Sequence, residues 1–117
     1  MTGIMFPKIP KKKRRKRHKT SIIQEKNGIC YLCEKLHGDC RRHGRLEEHH
    51  IFDGPNRAKA EAEGLKVYLC PAHHREGPEA VHKNRETMRI LQRDAQAAYE
   101  QENGHEAFMD LIGRNYL

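Results

Sequence analysis

Two pairs of metal-ligating residues, each separated by a two-residue spacer, constrain the fold of this chain more than any other feature. The first pair is Cys30 and Cys33, and the second is Cys70 and His73. A C-x-x-C alone is also compatible with a redox pair. Two spaced pairs, however, are typical of a closed tetrahedral zinc site, because each tight turn brings both of its side chains to one ion. The sequence therefore predicts a structural Cys₃His zinc site.

The remaining cysteine, Cys40, leaves three interpretations open. It could replace His73 as the last zinc ligand, remain a free thiol, or pack as a small side chain. It lies in a polar, glycine-containing segment, residues 34–45, which we expect to form a loop or a loose hairpin. His37 and His43 in the same segment are expected to be surface residues.

The composition indicates why a metal would help this chain to fold. It has 117 residues, 36% of them hydrophobic and none of them Trp, which predicts one domain with a thin core. Such domains depend on disulfides, oligomerisation or a metal. The N-terminal region is basic and lacks the apolar segment of a secretory signal, so we expect a cytoplasmic, reducing location that favours metal over disulfides. No apolar run approaches the roughly 18 residues of a membrane span, and no membrane partner is expected.

Charge divides the chain into two parts. Residues 8–19 carry nine of the 23 Lys and Arg and no acid, whereas residues 20–117 carry the other 14 against 16 acids. A run of like charge cannot fold on itself, so we expect residues 1–19 to be a disordered basic arm and residues 20–117 to be the folded domain. The arm suits a DNA backbone, since each neutralised phosphate releases a counterion. A solvated tail or a nuclear-localisation signal is the alternative. The predicted DNA-binding residues are Lys11, Lys12, Lys13, Arg14, Arg15, Lys16, Arg17 and Lys19.

Hydrophobic patterns predict a small α+β domain built on a hairpin. We expect strands over residues 46–52 and 65–70, joined by a long loop with one helical turn at residues 58–63. Pro71 suits the first position of a following helix, which Gly77-Pro78 would interrupt within two turns.

Further helices are predicted on both sides of the hairpin. Ser21 could cap a short helix over residues 20–26. Asn84 could cap a longer one over residues 85–102, and another is expected over residues 106–112. The last two present apolar residues at three- and four-residue spacing, which indicates packing against the hairpin.

Within residues 46–82, four histidines remain once the zinc site has taken its ligands: His49, His50, His74 and His82. His49 and His50 are adjacent on a predicted strand, where successive side chains point to opposite faces. They can serve one site only if the strand bends or ends there, and we predict such an irregularity. The alternative is a pair of half-buried strand histidines without a chemical role.

The order of these motifs resembles the HNH nucleases, whose site has a ββα-metal architecture. The resemblance is to the small HNH proteins of phages and prophages, and HHIF, GPNR, GLKVYLCPAHH and GRNYL carry it. It covers residues 28–117. It implies a treble-clef-like ββα core with its zinc site over residues 28–83 and C-terminal helices over residues 84–117.

The resemblance also implies a role for each remaining histidine. His50 would be the general base that takes a proton from a water aimed at a phosphate. His49 and His74 would bind a catalytic divalent metal, and His82 would complete the set or contact phosphate. Asn56 is the only asparagine available in the hairpin loop for the family's middle Asn, which orients the base. An all-imidazole set tolerates Mg, Mn, Ni, Co or Zn, so the catalytic ion is not identified.

The function implied is metal-dependent DNA endonuclease activity that nicks or cleaves phosphodiester bonds. Phage DNA recombination, replication or packaging is the expected setting, in the cytoplasm of a bacterial host. Phage or host proteins of those processes are possible partners. The alternative is a non-catalytic zinc-finger DNA-binding or recombination accessory protein, which would not depend on His50.

Overall fold

A two-stranded antiparallel sheet forms the centre of the domain in the computed structural model, which describes residues 19–117. Strand β1 (Glu47–His50) pairs with β2 (Lys66–Leu69), so that Glu47 lies opposite Leu69 and His50 lies opposite Lys66. This confirms the predicted hairpin and the α+β class. Every residue of β2 is buried, whereas His49 is the only fully buried residue of β1. β1 ends at His50 and the chain bends at residues 51–52, which agrees with the predicted irregularity.

The connection between the strands contains more helix than the single turn predicted from sequence. A 3₁₀ turn, Gly54–Asn56, leads directly into α2 (Arg57–Ala62). Gly64 then returns the chain to β2 with a positive φ of 75°. A Cβ at this position would also clash with the carbonyl oxygen of Thr20, so the N-terminal segment can approach only a glycine here.

The predicted helix over residues 20–26 is wrong. Ser21 does bond as a cap would, since its Oγ accepts hydrogen bonds from the backbone N–H groups of Ile23 and Gln24. The segment nevertheless stays non-helical because its other polar groups bond to the hairpin. Ile22 N–H donates to the Gly64 carbonyl, and the Gln24 side chain accepts from Tyr68 N–H at 2.9 Å. Tertiary hydrogen bonds therefore replace the helical ones.

The predicted loop over residues 34–45 is wrong at its start, because α1 (Tyr31–His37) begins directly after Cys30. Helix α1 ends at Gly38, which adopts the left-handed conformation. The Tyr31 hydroxyl donates to Asp94 at 2.6 Å, and Lys35 pairs with the same carboxylate at 2.7 Å. These contacts attach α1 to the long C-terminal helix.

After β2 the chain forms a π-helical turn, Ala72–Glu76, which Gly77 ends as predicted. The two C-terminal helices are also confirmed, as α3 (Arg85–Asn103) and α4 (His105–Ile112). Asn84 caps α3, since its Oδ1 accepts hydrogen bonds from two N–H groups of the first turn.

The apolar core lies between the hairpin and the C-terminal helices. Phe108 of α4 is completely buried, and its ring contacts those of Phe52 and Tyr99 at centroid distances of 5.9 and 6.0 Å. Gln96 of α3 is also completely buried, and it accepts a hydrogen bond from the backbone N–H of Tyr116. The C-terminal residues are thereby held against α3. None of the helices between residues 19 and 117 combines the length and the apolar character needed to cross a bilayer.

Candidate metal centres

The first candidate centre consists of the four predicted zinc ligands, Cys30, Cys33, Cys70 and His73, all of which are buried. Local structure explains how they meet. Cys30 is the N-cap of α1 and Cys33 lies in its first turn, and the π-helical turn that follows Cys70 carries His73 back toward them. The structure therefore brings together a Cys/His cluster that could hold a structural metal ion.

The distances within this cluster fit a tetrahedral ion. The sulfurs of Cys33 and Cys70 lie 3.8 Å apart, and His73 Nδ1 lies 3.3 to 3.7 Å from the three sulfurs. Zinc bonds of about 2.3 Å to sulfur and about 2.0 Å to nitrogen give tetrahedral edges of about 3.8 Å and about 3.5 Å. The cluster thus has room for one such ion at its centre.

The protein also orients the histidine of this cluster. Nε2 of His73, the nitrogen facing away from the sulfurs, lies 3.3 Å from Glu79 Oε1, and His37 Nε2 contacts the same oxygen at 2.7 Å. These two hydrogen bonds hold the pKa of Glu79 below its usual value. A carboxylate behind a ligating histidine fixes the tautomer that presents the other nitrogen to a metal.

Burial affects the thiols of the cluster and distinguishes them from Cys40. It raises the pKa of both Cys30 and Cys33, so these buried groups are neutral thiols unless a cation replaces their protons. Cys40 is exposed and lies outside the cluster, where its sulfur is 3.3 Å from a Glu34 carboxylate oxygen. Of the three interpretations of Cys40, the structure therefore supports the free thiol, which is exposed.

The second candidate centre consists of three histidines from three separate segments. His49 comes from β1, His74 from the π-helical turn, and His82 from the loop before α3. Their rings lie 4.8 to 5.3 Å apart between centroids, and one nitrogen of each lies within 4.8 Å of the others. Three imidazoles at this separation could share one metal ion.

A carboxylate again orients one of these histidines. His74 Nδ1 lies 2.7 Å from Glu47 Oε1, and this hydrogen bond lowers the pKa of Glu47. Glu47 precedes His49 by two residues on β1, so both side chains point to the same face of the strand. His74 is left with Nε2 as the nitrogen that can face the cluster.

His49 has an unsatisfied buried nitrogen. Its side chain is 3% exposed, and its Nε2 has no hydrogen-bond partner among residues 19–117. Burial, with the neighbouring imidazoles His74 and His82, lowers the pKa of His49 to about 3, so the ring is neutral near pH 7. Buried polar atoms are rarely left without a partner. A neutral imidazole with an orphaned nitrogen fits a metal ligand.

His50 lies on the opposite face of β1, among charged side chains. Its Nε2 is 3.1 Å from Glu61 Oε1 and 3.7 Å from Glu48 Oε1, although neither contact has the alignment of a hydrogen bond. The amine of the buried Lys66 pairs with the same Glu48 oxygen at 3.2 Å. His50 thus lies among two carboxylates and one amine at the end of the strand.

One pocket nevertheless connects His50 with the three-histidine cluster. It has a volume of about 220 Å³. Its wall combines imidazoles, two carboxylates and two guanidinium groups, and the lining residues are Glu48, His49, His50, Asp53, Arg57, His74, Arg75 and His82. The two faces of β1 meet at this pocket because the strand ends there.

Asn56 does not line this pocket. Its side-chain nitrogen donates to the carbonyl of Ile112 at 3.1 Å, which ties the 3₁₀ turn to the end of α4. Lys19 is exposed, and the other predicted DNA-binding residues of the arm, like the predicted disorder of the arm itself, lie outside the described residues.

Sequence reasoning missed the carboxylates around both centres. Glu47 could have been found, because the two-residue period of a strand places it beside His49. Glu61 and Glu79 gave no such signal, since their positions depend on how α2 and the turn after Glu76 fold back. Arg57 and Arg75 were likewise unassigned, although each directly neighbours a singled-out residue.

The chain matches no family model, no curated protein and no solved structure. The chemistry of the two centres therefore rests on their own geometry. That geometry combines one buried thiol-rich cluster with one imidazole cluster beside a charged pocket.

Proposed function

We propose that the protein is a metal-dependent DNA endonuclease of the HNH type. The observation that carries the proposal is the convergence of His49, His74 and His82 within 4.8 Å beside a pocket that His50 also lines. The sequence order of β1, β2 and the π-helical turn supports a ββα-metal architecture, because this order delivers His49 and His74 to one place.

The Cys₃His cluster is the proposed zinc site of this domain. Thiolate and imidazole ligands in a closed tetrahedral set favour zinc, and all four ligands are buried. Because the site joins α1 to the segment after β2, zinc binding would supply part of the folding free energy. Its role is to hold His74 in place, since His73 and His74 are consecutive.

The three-histidine cluster is the proposed catalytic metal site. Three protein ligands leave coordination positions open toward the pocket, which is the pattern of catalytic rather than structural sites. A divalent ion bound there would stabilise negative charge on the phosphoryl and leaving oxygens. Arg57 and Arg75 line the same pocket and supply fixed positive charge for a phosphate.

His50 is the proposed general base. Its Nε2 lies 3.1 Å from Glu61 Oε1 without hydrogen-bond alignment, and a tautomer protonated on Nε2, toward this carboxylate, would leave Nδ1 as the acceptor for a proton from water. By this proximity we assign to Glu61 the orienting role that the resemblance gave to a middle Asn. The bond between Asn56 and Ile112 gives Asn56 a bracing role in the loop instead.

Nicking of supercoiled plasmid by the zinc-loaded protein tests this proposal. Activity should require an added divalent ion, and His50→Ala should lower the rate by about 100- to 10,000-fold, the usual contribution of a general base. His105→Ala is a matched control, because His105 is an exposed histidine that also pairs with a glutamate. If wild type and His50→Ala nick equally with every ion, the nuclease proposal fails and a DNA-binding protein is left.

A further inference from the structure

Helix α3 carries three arginines at four-residue intervals: Arg85, Arg89 and Arg93. Residues four apart lie on one side of a helix, and all three side chains are exposed. Together with Glu86 and Ile90 they line one shallow depression of about 630 Å³. We refer to these three arginines as the arginine stripe.

The arginine stripe is not neutralised by other parts of the domain. Within residues 19–117, none of its guanidinium groups forms an ion pair or a side-chain hydrogen bond. Some exposed cations elsewhere in the domain are paired, as Arg41 is with Asp39 at 3.0 Å and Lys35 with Asp94 at 2.7 Å. Glu86 is the one acid that lines the depression with these three arginines, so the stripe is a local excess of positive charge on residues 20–117, which as a whole carry 14 basic and 16 acidic residues.

The position of the stripe does not serve the stability of α3. Cations are favourable at the C-terminal end of a helix and unfavourable at its N-terminal end. In α3 the arginines occupy the N-terminal half, whereas the last turn contains Glu100 and Glu102 and no basic residue. Only Arg85 lies in the first turn, together with Glu86, so the helix dipole gives no reason for the stripe.

The stripe also begins next to the proposed catalytic site. Asn84, the cap of α3, follows His82 of the three-histidine cluster by two residues. From Arg85 to Arg93 a helix rises by about 12 Å, at about 1.5 Å per residue. That distance spans three to four nucleotides of one strand, at about 3.4 Å each. Adjacent arginines are about 6 Å apart along the helix, which corresponds to roughly every second backbone phosphate of that strand.

We propose that Arg85, Arg89 and Arg93 form a track that binds the phosphate backbone of duplex DNA and leads it to the three-histidine pocket. The inference takes its ligand from the proposed function and does not depend on cleavage. The track would act together with the basic arm, because counterion release adds over independent phosphate contacts.

The salt dependence of DNA binding tests the track. Full-length, zinc-loaded protein would be titrated onto a fluorescent 25-base-pair duplex at several salt concentrations, without an added second metal. The slope of log K against log salt should become shallower by about 0.9 for Arg89→Gln and by about 2.7 for the triple Gln variant. Arg41→Gln removes the same charge from an ion-paired arginine and should leave the slope unchanged.

Circular dichroism and zinc content would establish that each variant is folded, and the single variant gives the test if the triple variant is not. An unchanged slope in Arg89→Gln overturns the track. So does a loss of affinity for anionic vesicles or for single-stranded RNA without a loss for duplex DNA. His50→Ala should keep the wild-type slope. A failure of the track is thus seen in the slopes, and a failure of the nuclease proposal is seen only in plasmid nicking.

Discussion

The two candidate metal centres share one short turn but differ in burial, ligands and surroundings. His73 and His74 are consecutive, yet one belongs to the Cys₃His cluster and the other to the three-histidine cluster. The first cluster has four buried ligands that contact one another. The second has three ligands, of which His82 is exposed, and it borders a pocket. This difference is the basis of the two proposed roles, a structural site for the first cluster and an exchangeable site for the second.

Both centres also contain a histidine held by a carboxylate. Glu79 faces His73 at 3.3 Å, and Glu47 faces His74 at 2.7 Å. In each pair the carboxylate fixes which ring nitrogen is free for a metal. Because each centre has such a carboxylate, the same Glu→Gln substitution can be made at both and its effects compared.

The largest expected effect follows from removing a ligand of the Cys₃His cluster. Cys70→Ser should lose the zinc and the cooperative thermal transition, since structural zinc contributes about 10 kcal/mol or more in small zinc domains. Zinc content by mass spectrometry and a melting curve measure this. Cys40→Ser is the control, because Cys40 is exposed and outside the cluster, and it should change neither quantity. A stable, zinc-free Cys70→Ser protein would remove the structural role from this centre.

Removing a ligand of the three-histidine cluster should weaken binding of the second divalent ion without unfolding the protein. His82→Ala should weaken binding of a second divalent ion by at least about tenfold, or about 1.4 kcal/mol, and keep one zinc per chain. His82 is exposed, so its removal costs little packing. Calorimetric titration with Mn²⁺ or Ni²⁺ measures the affinity, and His105→Ala is the matched control. Equal affinity in both variants would exclude His82 from the site.

Replacing each of the two carboxylates by an amide tests whether the two centres are independent. Glu79→Gln should weaken zinc binding about 10- to 100-fold, and Glu47→Gln should weaken the exchangeable ion to a similar extent. Each substitution should leave the other centre unchanged. Competition with a chromophoric chelator measures zinc, and calorimetry measures the second ion. If both variants weaken the same centre, the two sites are not independent.

The smallest expected effect is on acid stability. The pKa of His49, about 3, lies below the value of about 6.5 in an unfolded chain, so the unfolded state binds more protons between these values. Holding His49 neutral costs little folding free energy above about pH 6.5. Below that pH the unfolded state gains a proton that the folded state does not, so the free energy of unfolding falls as the pH falls. From pH 7 to 5.5 the zinc-loaded protein should lose about 1 kcal/mol more than His49→Gln, measured by urea unfolding. Equal losses would show that His49 is not held neutral by the fold.

The sequence predicted those parts of the molecule that depend on residues close together in the chain. The spacing of Cys30, Cys33, Cys70 and His73 predicted the first cluster, because two-residue spacers bring ligand pairs together locally. The hairpin and the helix after Asn84 followed from strand patterning and from a cap residue. The grouping of His49, His74 and His82 came from a resemblance, and the structure places the three rings together.

Other parts depended on tertiary contacts that no local pattern encodes. The segment after Thr20 has a suitable cap but bonds to Gly64 and Tyr68 instead of forming a helix. Glu61 reaches His50 only because α2 folds over the end of β1. Contacts of this kind arise when elements distant in sequence pack, so composition and spacing carry no signal for them.

We propose that a structural zinc centre containing His73 and an exchangeable centre containing the next residue, His74, coexist in one domain. The number of metal ions bound to the purified full-length chain decides whether they do. We expect one zinc that resists dialysis and one further divalent ion that exchanges freely, and His49→Ala should lose only the second. A chain that binds zinc alone, with no second ion at millimolar Mn²⁺, Ni²⁺ or Mg²⁺, would contradict the account.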